Sequence, residues 1–96
     1  MNNDEYFNLM REAEACSHEA AKNFLKEYLN GPFAQELSLE KEIFLNNQDF
    51  KAGLLTQLFY QLKKIDFWDY IKDSDWDNLC DLTMLHAFEY FASLRN

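Results

Sequence analysis

The chain is 96 residues long and carries 17 acidic and 9 basic side chains, for a formal charge of −8. Because 48% of its residues are apolar and 17% are aromatic, a disordered acidic tail is excluded and a single folded domain over residues 1–96 is expected. No segment approaches the roughly 18 unbroken apolar residues of a membrane span, and residues 1–5 lack the basic, apolar opening of a secretory signal, so we expect a cytoplasmic protein without a membrane partner.

The amino-acid usage predicts helices and argues against a sheet. Leucine occurs 14 times and alanine eight times, whereas valine is absent and isoleucine and threonine together occur five times. Leu and Ala lose little side-chain freedom in a helix, while strands draw on β-branched residues that this chain nearly lacks. The predicted fold is all-α: a compact, mostly antiparallel bundle of four main helices with a short helical connector before the last.

The first helix is predicted over residues 4–29. Apolar side chains recur along it on one face of a 3.6-residue period, at Tyr6, Met10, Ala13, Ala20, Phe24 and Tyr28. The triplet Asn30-Gly31-Pro32 predicts its end, because Gly favours the backbone conformation that follows a helix and Pro cannot continue one.

A second helix is predicted between Pro32, which can occupy its first position, and the pair Asn46-Asn47. Its predicted inward positions are either Phe33, Leu37, Ile43 and Phe44 or the parallel set Leu39 and Ile43. Since this pattern spans more than three turns, a helix comparable in length to the others is expected.

A third helix is predicted to begin after Asp49, acting as its N-cap, and to carry a broad apolar stripe. The stripe comprises Phe50, Leu54, Leu55, Leu58, Phe59, Leu62 and Ile65. Gly53 lies inside this helix and lowers its stability by about 1 kcal/mol relative to alanine. A glycine at such a position predicts a close crossing with another helix, where a side chain would not fit.

Residues 66–73 are predicted to form one or two helical turns or a compact connector. Ser74 and Asp77 approximate a capping box and predict the start of a last helix that runs nearly to the end of the chain. Its predicted inward positions are Trp76, Leu79, Cys80, Leu82, Thr83, Leu85, Phe88, Phe91 and Ala92.

The residues that could carry catalysis or hold a metal are few. Cys16, His18, Cys80 and His86 lack the spacing of a zinc site, and neither histidine lies three residues after a glutamate as in di-iron bundles. Cys80 is flanked by Asp75, Asp77 and Asp81, which would raise the pKa of its thiol and oppose a nucleophilic role. We therefore predict two free thiols, a half-buried His86, an exposed His18, no metal, no cofactor and no enzymatic activity.

The most unusual feature is an acidic and aromatic segment over residues 66–81. Six of its sixteen residues are aspartate and its only cation is Lys72, so its charge is −6 + 1 = −5. Helix capping can account for Asp66, Asp75 and Asp77, whereas like charges at this density repel one another unless a basic partner offsets them. The predicted partner-binding residues are Asp66, Asp69, Asp73, Asp77 and Asp81 for electrostatic complementarity, with Trp68, Tyr70 and Trp76 as anchors. Two alternatives stay open: that the aspartates serve only capping and solubility, and that the tryptophans belong to the core.

These features predict an acidic inhibitor that binds a basic protein, with a nuclease or another nucleic-acid-acting protein as the expected target. The first hypothesis is an immunity or antitoxin protein that neutralises a toxin, and the second is a phage-type DNA-mimic inhibitor of a defence complex. A third, of a different class, is a structural or assembly subunit whose third helix, or whose Phe88 and Phe91, forms a homodimer or docks on a larger complex. Direct binding of nucleic acid is disfavoured because the only small cluster of cations is Lys63-Lys64.

Overall fold

The structure is a computed structural model in which residues 1–95 are described. Four α-helices and a 3₁₀ turn follow one another, and no strand occurs within those residues, so the all-α prediction is confirmed. The helices are α1 (Asn3–Leu29), α2 (Lys41–Leu45), α3 (Gln48–Lys64) and α4 (Asp73–Arg95), and the 3₁₀ turn (Ala34–Glu36) lies between α1 and α2.

The three long helices make three passes along a body of 44 × 22 × 21 Å. α1 packs against both α3 and α4, whereas α3 and α4 touch each other much less and α2 packs mainly on α4. Because α2 has only five residues it does not form a fourth pass, so α1 and α4 run in the same direction and α3 returns between them. The principal helix pair is therefore parallel, unlike the mostly antiparallel arrangement that four long helices would give.

The core consists of two buried clusters arranged along the long axis. The Phe44 cluster contains Ala20, Ala21, Leu25, Leu37, Phe44, Phe50, Leu54, Met84, Ala87 and Phe91. The Phe67 cluster contains Ala13, Leu58, Leu62, Phe67 and Leu79. Each of the three long helices contributes to both clusters, so burial of apolar surface couples the two ends of the molecule.

Much of the surface predicted to pair two copies of the chain lies inside this core. Phe91 is 2% exposed, Phe88 packs against the Phe44 cluster, and the α3 residues Leu54, Leu58 and Leu62 are fully buried. Because α1 and α2 cover much of this surface within one chain, pairing through it would have to use the half-buried residues that remain, and the homodimer stays a prediction.

The ends of α1 agree with the prediction to within one residue. The side chain of Asn2 accepts a hydrogen bond of 2.8 Å from the backbone N–H of Glu5, which satisfies one of the free amides of the first turn. At the other end the helix stops at Leu29, and the N–H of Asn30 donates to the carbonyl of Lys26.

The segment between α1 and α3 differs from the predicted long helix. The backbone is extended at Leu37 and again at Glu40, and the Ser38 hydroxyl accepts from the N–H of Glu40, a local hydrogen bond that competes with helix formation. Of the residues in the two predicted inward sets, only Leu37 and Phe44 are buried. The other three are more than half exposed, at Phe33, Leu39 and Ile43.

α3 begins two residues earlier than predicted because Asn47, and not Asp49, is its N-cap: the Asn47 side chain accepts from the N–H of Phe50 at 3.0 Å. The predicted close crossing at Gly53 is confirmed. A Cβ built at this glycine would overlap the ring of Phe24 from α1, with Cε1 3.0 Å away and Cζ closer still. The missing side chain lets α1 and α3 approach each other through this ring.

α3 ends in a Schellman motif that places Asp66. The N–H of Phe67 donates to the carbonyl of Leu62, and the N–H of Asp66 donates to that of Lys63. Asp66 has a φ of 56°, in the left-handed region that aspartate tolerates better than most side chains. Asp66 is thus the residue that follows a helix end, and its interpretation as a helix-start residue is wrong.

The connector is a single turn, in which the N–H of Ile71 donates to the carbonyl of Phe67 at 3.0 Å. α4 then begins at Asp73, and the N–H of Trp76 donates to the carbonyl of Lys72. Ser74 therefore lies in the first turn of α4 instead of preceding it, and the predicted capping box between Ser74 and Asp77 does not form.

Candidate protein-binding surface

Five aspartates of the predicted site lie exposed at one side of the connector and α4. We name them the acidic strip, and they are Asp66, Asp69, Asp73, Asp77 and Asp81. The last three are spaced by four residues on α4, so they share one face of the helix and follow each other at intervals of about 6 Å along its axis. Asp81 borders a shallow cavity with Leu45 of α2 and Lys51 of α3, which shows that this face of α4 is turned toward α2 and α3.

Two surface grooves join the connector aspartates to the helix. Lys63, Asp66, Trp68, Asp69 and Tyr70 line the first groove, of about 440 Å³. The second, of about 290 Å³, is lined by Trp68, Asp69, Ile71, Asp73 and Trp76. Asp66, Asp69 and Asp73 do not share a helix face as predicted, because residues 65–72 are not helical, but Asp69 lines both grooves and makes the strip continuous.

Asp75 is turned away from the strip. Its carboxylate accepts a hydrogen bond of 2.5 Å from the Tyr6 hydroxyl of α1, and the Tyr6 oxygen in turn accepts from the N–H of Lys72. The Lys72 ammonium lies 5.0 Å from the centre of the Tyr6 ring. Burial and the bond to Asp75 raise the pKa of Tyr6 above its usual value, which keeps its hydroxyl protonated. The only cation of the acidic segment is thus held beside α1.

The aromatic residues of the predicted site are partly packed and partly exposed. Trp68 and Trp76 are both half-buried against the Phe67 cluster, and their rings meet edge to face with centroids 4.9 Å apart. The other side of Trp68 meets Phe59 of α3 in the same geometry at 4.6 Å. Tyr70 is 55% exposed. The two tryptophans therefore belong to the edge of the core and also line the second groove.

The thiols are placed where they are unreactive. Cys80 is buried on α4, and burial, followed by the charges of Asp77 and Asp81, raises its pKa to about 11. Burial and the charge of Glu12 likewise raise the pKa of the half-buried Cys16. Both sulfurs are protonated at neutral pH, and the thiolate is the nucleophilic form. Within residues 1–95, no three His, Cys, Asp or Glu side chains are grouped so as to hold a metal ion.

Comparison with protein-family models, curated proteins and solved structures returned no match. None of the helices among the described residues is long and apolar enough to cross a membrane.

The structure also brings together two histidines that the sequence pattern did not connect. The rings of His18 on α1 and His86 on α4 are stacked with centroids 3.7 Å apart and an interplanar angle of 28°. His18 is exposed and His86 is half-buried, as predicted, but Nε2 of His86 is buried with no hydrogen-bond partner among the described residues. The pairing depends on the parallel alignment of α1 and α4, which no local spacing of residues could indicate.

We expect this pair to make the fold less stable in mild acid. Burial and the neighbouring His18 lower the pKa of His86 below the 6.5 of a free histidine, against a smaller opposing effect of Glu89. The unfolded chain then binds more protons than the folded one, so the free energy of unfolding falls as pH drops through 6.5 toward the folded-state pKa.

The measurement is urea unfolding at pH 7.5 and pH 5.5 for the wild type and for His86→Phe, which keeps a ring against His18 but does not titrate. The variant should lose less stability than the wild type between the two pH values. Equal losses in both proteins would show that the His86 ring does not cause the acid sensitivity.

Proposed function

We propose that this protein is an acidic inhibitor of immunity or antitoxin type that binds and neutralises a basic, nucleic-acid-acting toxin. The observation that carries the proposal is the acidic strip, which runs without interruption from the end of α3 to the middle of α4 beside half-exposed aromatic rings. Lys63 lines the groove at one end of the strip, and Lys51 lines the cavity beside Asp81 at the other end.

A strip of negative charge suits the rapid capture of a positively charged target. Electrostatic steering of this kind raises association rates by about 10 to 10³ and weakens steeply with salt. Aromatic residues near the centre of an interface supply the slow dissociation that steering alone does not give. Trp68, Trp76 and Tyr70 lie beside the strip and have the exposure that this second role requires.

The charge density favours an immunity protein over a DNA mimic. One strand of a duplex carries a phosphate for every ~3.4 Å of axis, so a strand as long as the 44 Å axis of this molecule would carry about 13. The whole chain has a net charge of −8, and the α4 part of the strip carries one charge per ~6 Å of helix axis. The strip is therefore too sparse to reproduce a phosphate backbone, but dense enough to match a local basic patch.

The test is capture on immobilised protein at low ionic strength from a lysate of the source organism, with elution by salt and an assay of the eluate for nuclease activity. Added wild-type protein should inhibit that activity. A variant with Asp69→Asn, Asp73→Asn, Asp77→Asn and Asp81→Asn should capture at least about tenfold less nuclease, while its thermal stability stays equal or rises because like charges are removed.

The matched control removes the same number of charges from exposed positions of α1, by Glu12→Gln, Glu14→Gln, Glu19→Gln and Glu27→Gln. This control should capture and inhibit like the wild type. Equal capture by the strip variant and the wild type would refute the proposal, as would an eluted nuclease that added protein does not inhibit. A captured DNA-binding complex without nuclease toxicity would support the phage-type inhibitor in its place.

A further inference from the structure

The second groove described above has walls of a different character from the rest of the strip. We name it the indole groove, and it is lined by Trp68, Asp69, Ile71, Asp73 and Trp76. Its lining combines apolar and aromatic surface with two carboxylates, and it includes no lysine or arginine, whereas the neighbouring groove contains Lys63. The indole groove therefore joins negative charge to aromatic surface with no internal cation to satisfy it.

The size of the indole groove limits what can occupy it. Sites for drug-sized ligands measure about 300–1,000 Å³. At about 290 Å³ the indole groove lies just below that range, which suits one long side chain of a protein better than a cofactor or a nucleotide. An anionic occupant is excluded by Asp69 and Asp73, and a purely apolar occupant would leave both carboxylates facing it without a partner.

Arginine fits this combination better than any other side chain. Its guanidinium is planar, so it can stack on an indole face while its N–H groups donate to carboxylates in the ring plane. Its three methylenes can lie along apolar surface such as that of Ile71 and the Trp76 ring. Lysine offers a compact, strongly hydrated charge that makes fewer directed contacts in such a site.

We propose that the indole groove is the pocket for one arginine side chain of the partner protein. The arginine packs against the indole surface of Trp68 and Trp76, and its guanidinium donates to the carboxylates of Asp69 and Asp73. This proposal rests on the proposed function, since it names the residue type by which a basic partner is recognised. The groove is the anchor point of the strip, and Asp77 and Asp81 farther along α4 contribute attraction at longer range.

The experiment uses Nα-acetyl-arginine methylamide as the probe and follows the two indole N–H resonances by NMR. Both resonances should shift in a saturable way, and the neutral isostere Nα-acetyl-citrulline methylamide should leave them in place. Hydrogen bonds to charged groups are the strong ones, so Asp69→Asn with Asp73→Asn should weaken arginine binding at least about tenfold.

The matched control is Asp77→Asn with Asp81→Asn, which removes the same charge from the same strip but from outside the groove. It should weaken binding of the arginine probe much less than the groove pair does, because neither Asp77 nor Asp81 lines the groove and exposed charges attract only weakly through water. Trp76→Phe is a third variant that keeps an aromatic ring, leaves one indole resonance and should retain a weakened response.

Three results would overturn the arginine pocket: no saturable indole shift, an equal shift with the citrulline probe, or equal weakening by the two aspartate pairs. If any of these occurs while the four-aspartate variant still loses nuclease capture, only the pocket is refuted and the proposed function stands. If the arginine probe binds as expected while capture is independent of the strip, the pocket is supported and the toxin partner is refuted.

Discussion

Replacing Phe44 with alanine is expected to lower the free energy of unfolding by about 3–5 kcal/mol, because the cavity it leaves is fully enclosed. The Phe44 side chain is 0% exposed, and its ring lies 5.0 Å from that of Phe50 and 5.6 Å from that of Phe91, centre to centre. Domains of this size have a total stability of about 5–15 kcal/mol, so the variant should lose a large part of it.

The matched control is Phe33→Ala, since the sequence predicts both phenylalanines to face inward and the structure separates them. Phe33 is 56% exposed, so its loss should change stability by no more than about 0.5 kcal/mol. Chemical denaturation of the two variants measures the difference directly. Similar losses for both would mean that α2 and the segment before it are not placed as the structure has them.

Gly53→Ala is the second substitution with a large expected effect. It should lower the stability of the fold, although alanine has the higher helix propensity. In the interior of an exposed helix, alanine stabilises the helix by about 1 kcal/mol relative to glycine. At this crossing the added Cβ would overlap the Phe24 ring, which is itself confined by Tyr28 and Phe50 at centroid distances of 5.9 and 5.3 Å. Overpacking of this kind costs about 1–3 kcal/mol, so we expect a net loss of stability.

A double-mutant cycle with Phe24→Leu tests the cause. Leucine lacks the ring atoms that the new Cβ would meet, so Gly53→Ala should be neutral or stabilising when Phe24→Leu is already present. Thermal unfolding of the four proteins gives the coupling energy. A loss of equal size in both backgrounds would place the strain elsewhere than in the contact between α1 and α3.

The parts of the fold that the sequence predicts well are those governed by local chemistry. Asn30-Gly31-Pro32 marks the end of α1, and Gly53 marks the crossing, because each depends on the backbone freedom of one or two residues. The predicted long second helix does not form. Phe33, Leu39 and Ile43 recur at helical spacing in the sequence but are not buried. Whether an apolar side chain is covered depends on where distant helices lie, and a local pattern does not contain that information.

In the candidate site, too, the sequence predicts what is local and misses what depends on distant residues. Charge density along residues 66–81 is a property of the sequence, so the sequence alone predicts the strip. Asp75 points away from the strip because it bonds to Tyr6, 69 residues away in the sequence. The left-handed conformation of Asp66 depends on how α3 ends. The stacked histidines depend on two helices running in parallel, so the charge and spacing of nearby residues could not reveal them.

The contact of Tyr6 with Asp75 and Lys72 also decides where a reporter can be attached. It ties the first turns of α1 to the start of α4, so a tag or fluorophore placed at the amino terminus would lie at the same end of the molecule as the indole groove. The last turns of α4 carry Phe91 of the Phe44 cluster and lie at the far end of the 44 Å body. Immobilisation through the carboxyl-terminal end would leave the binding surface open, which makes that end the proper attachment point for the capture experiment.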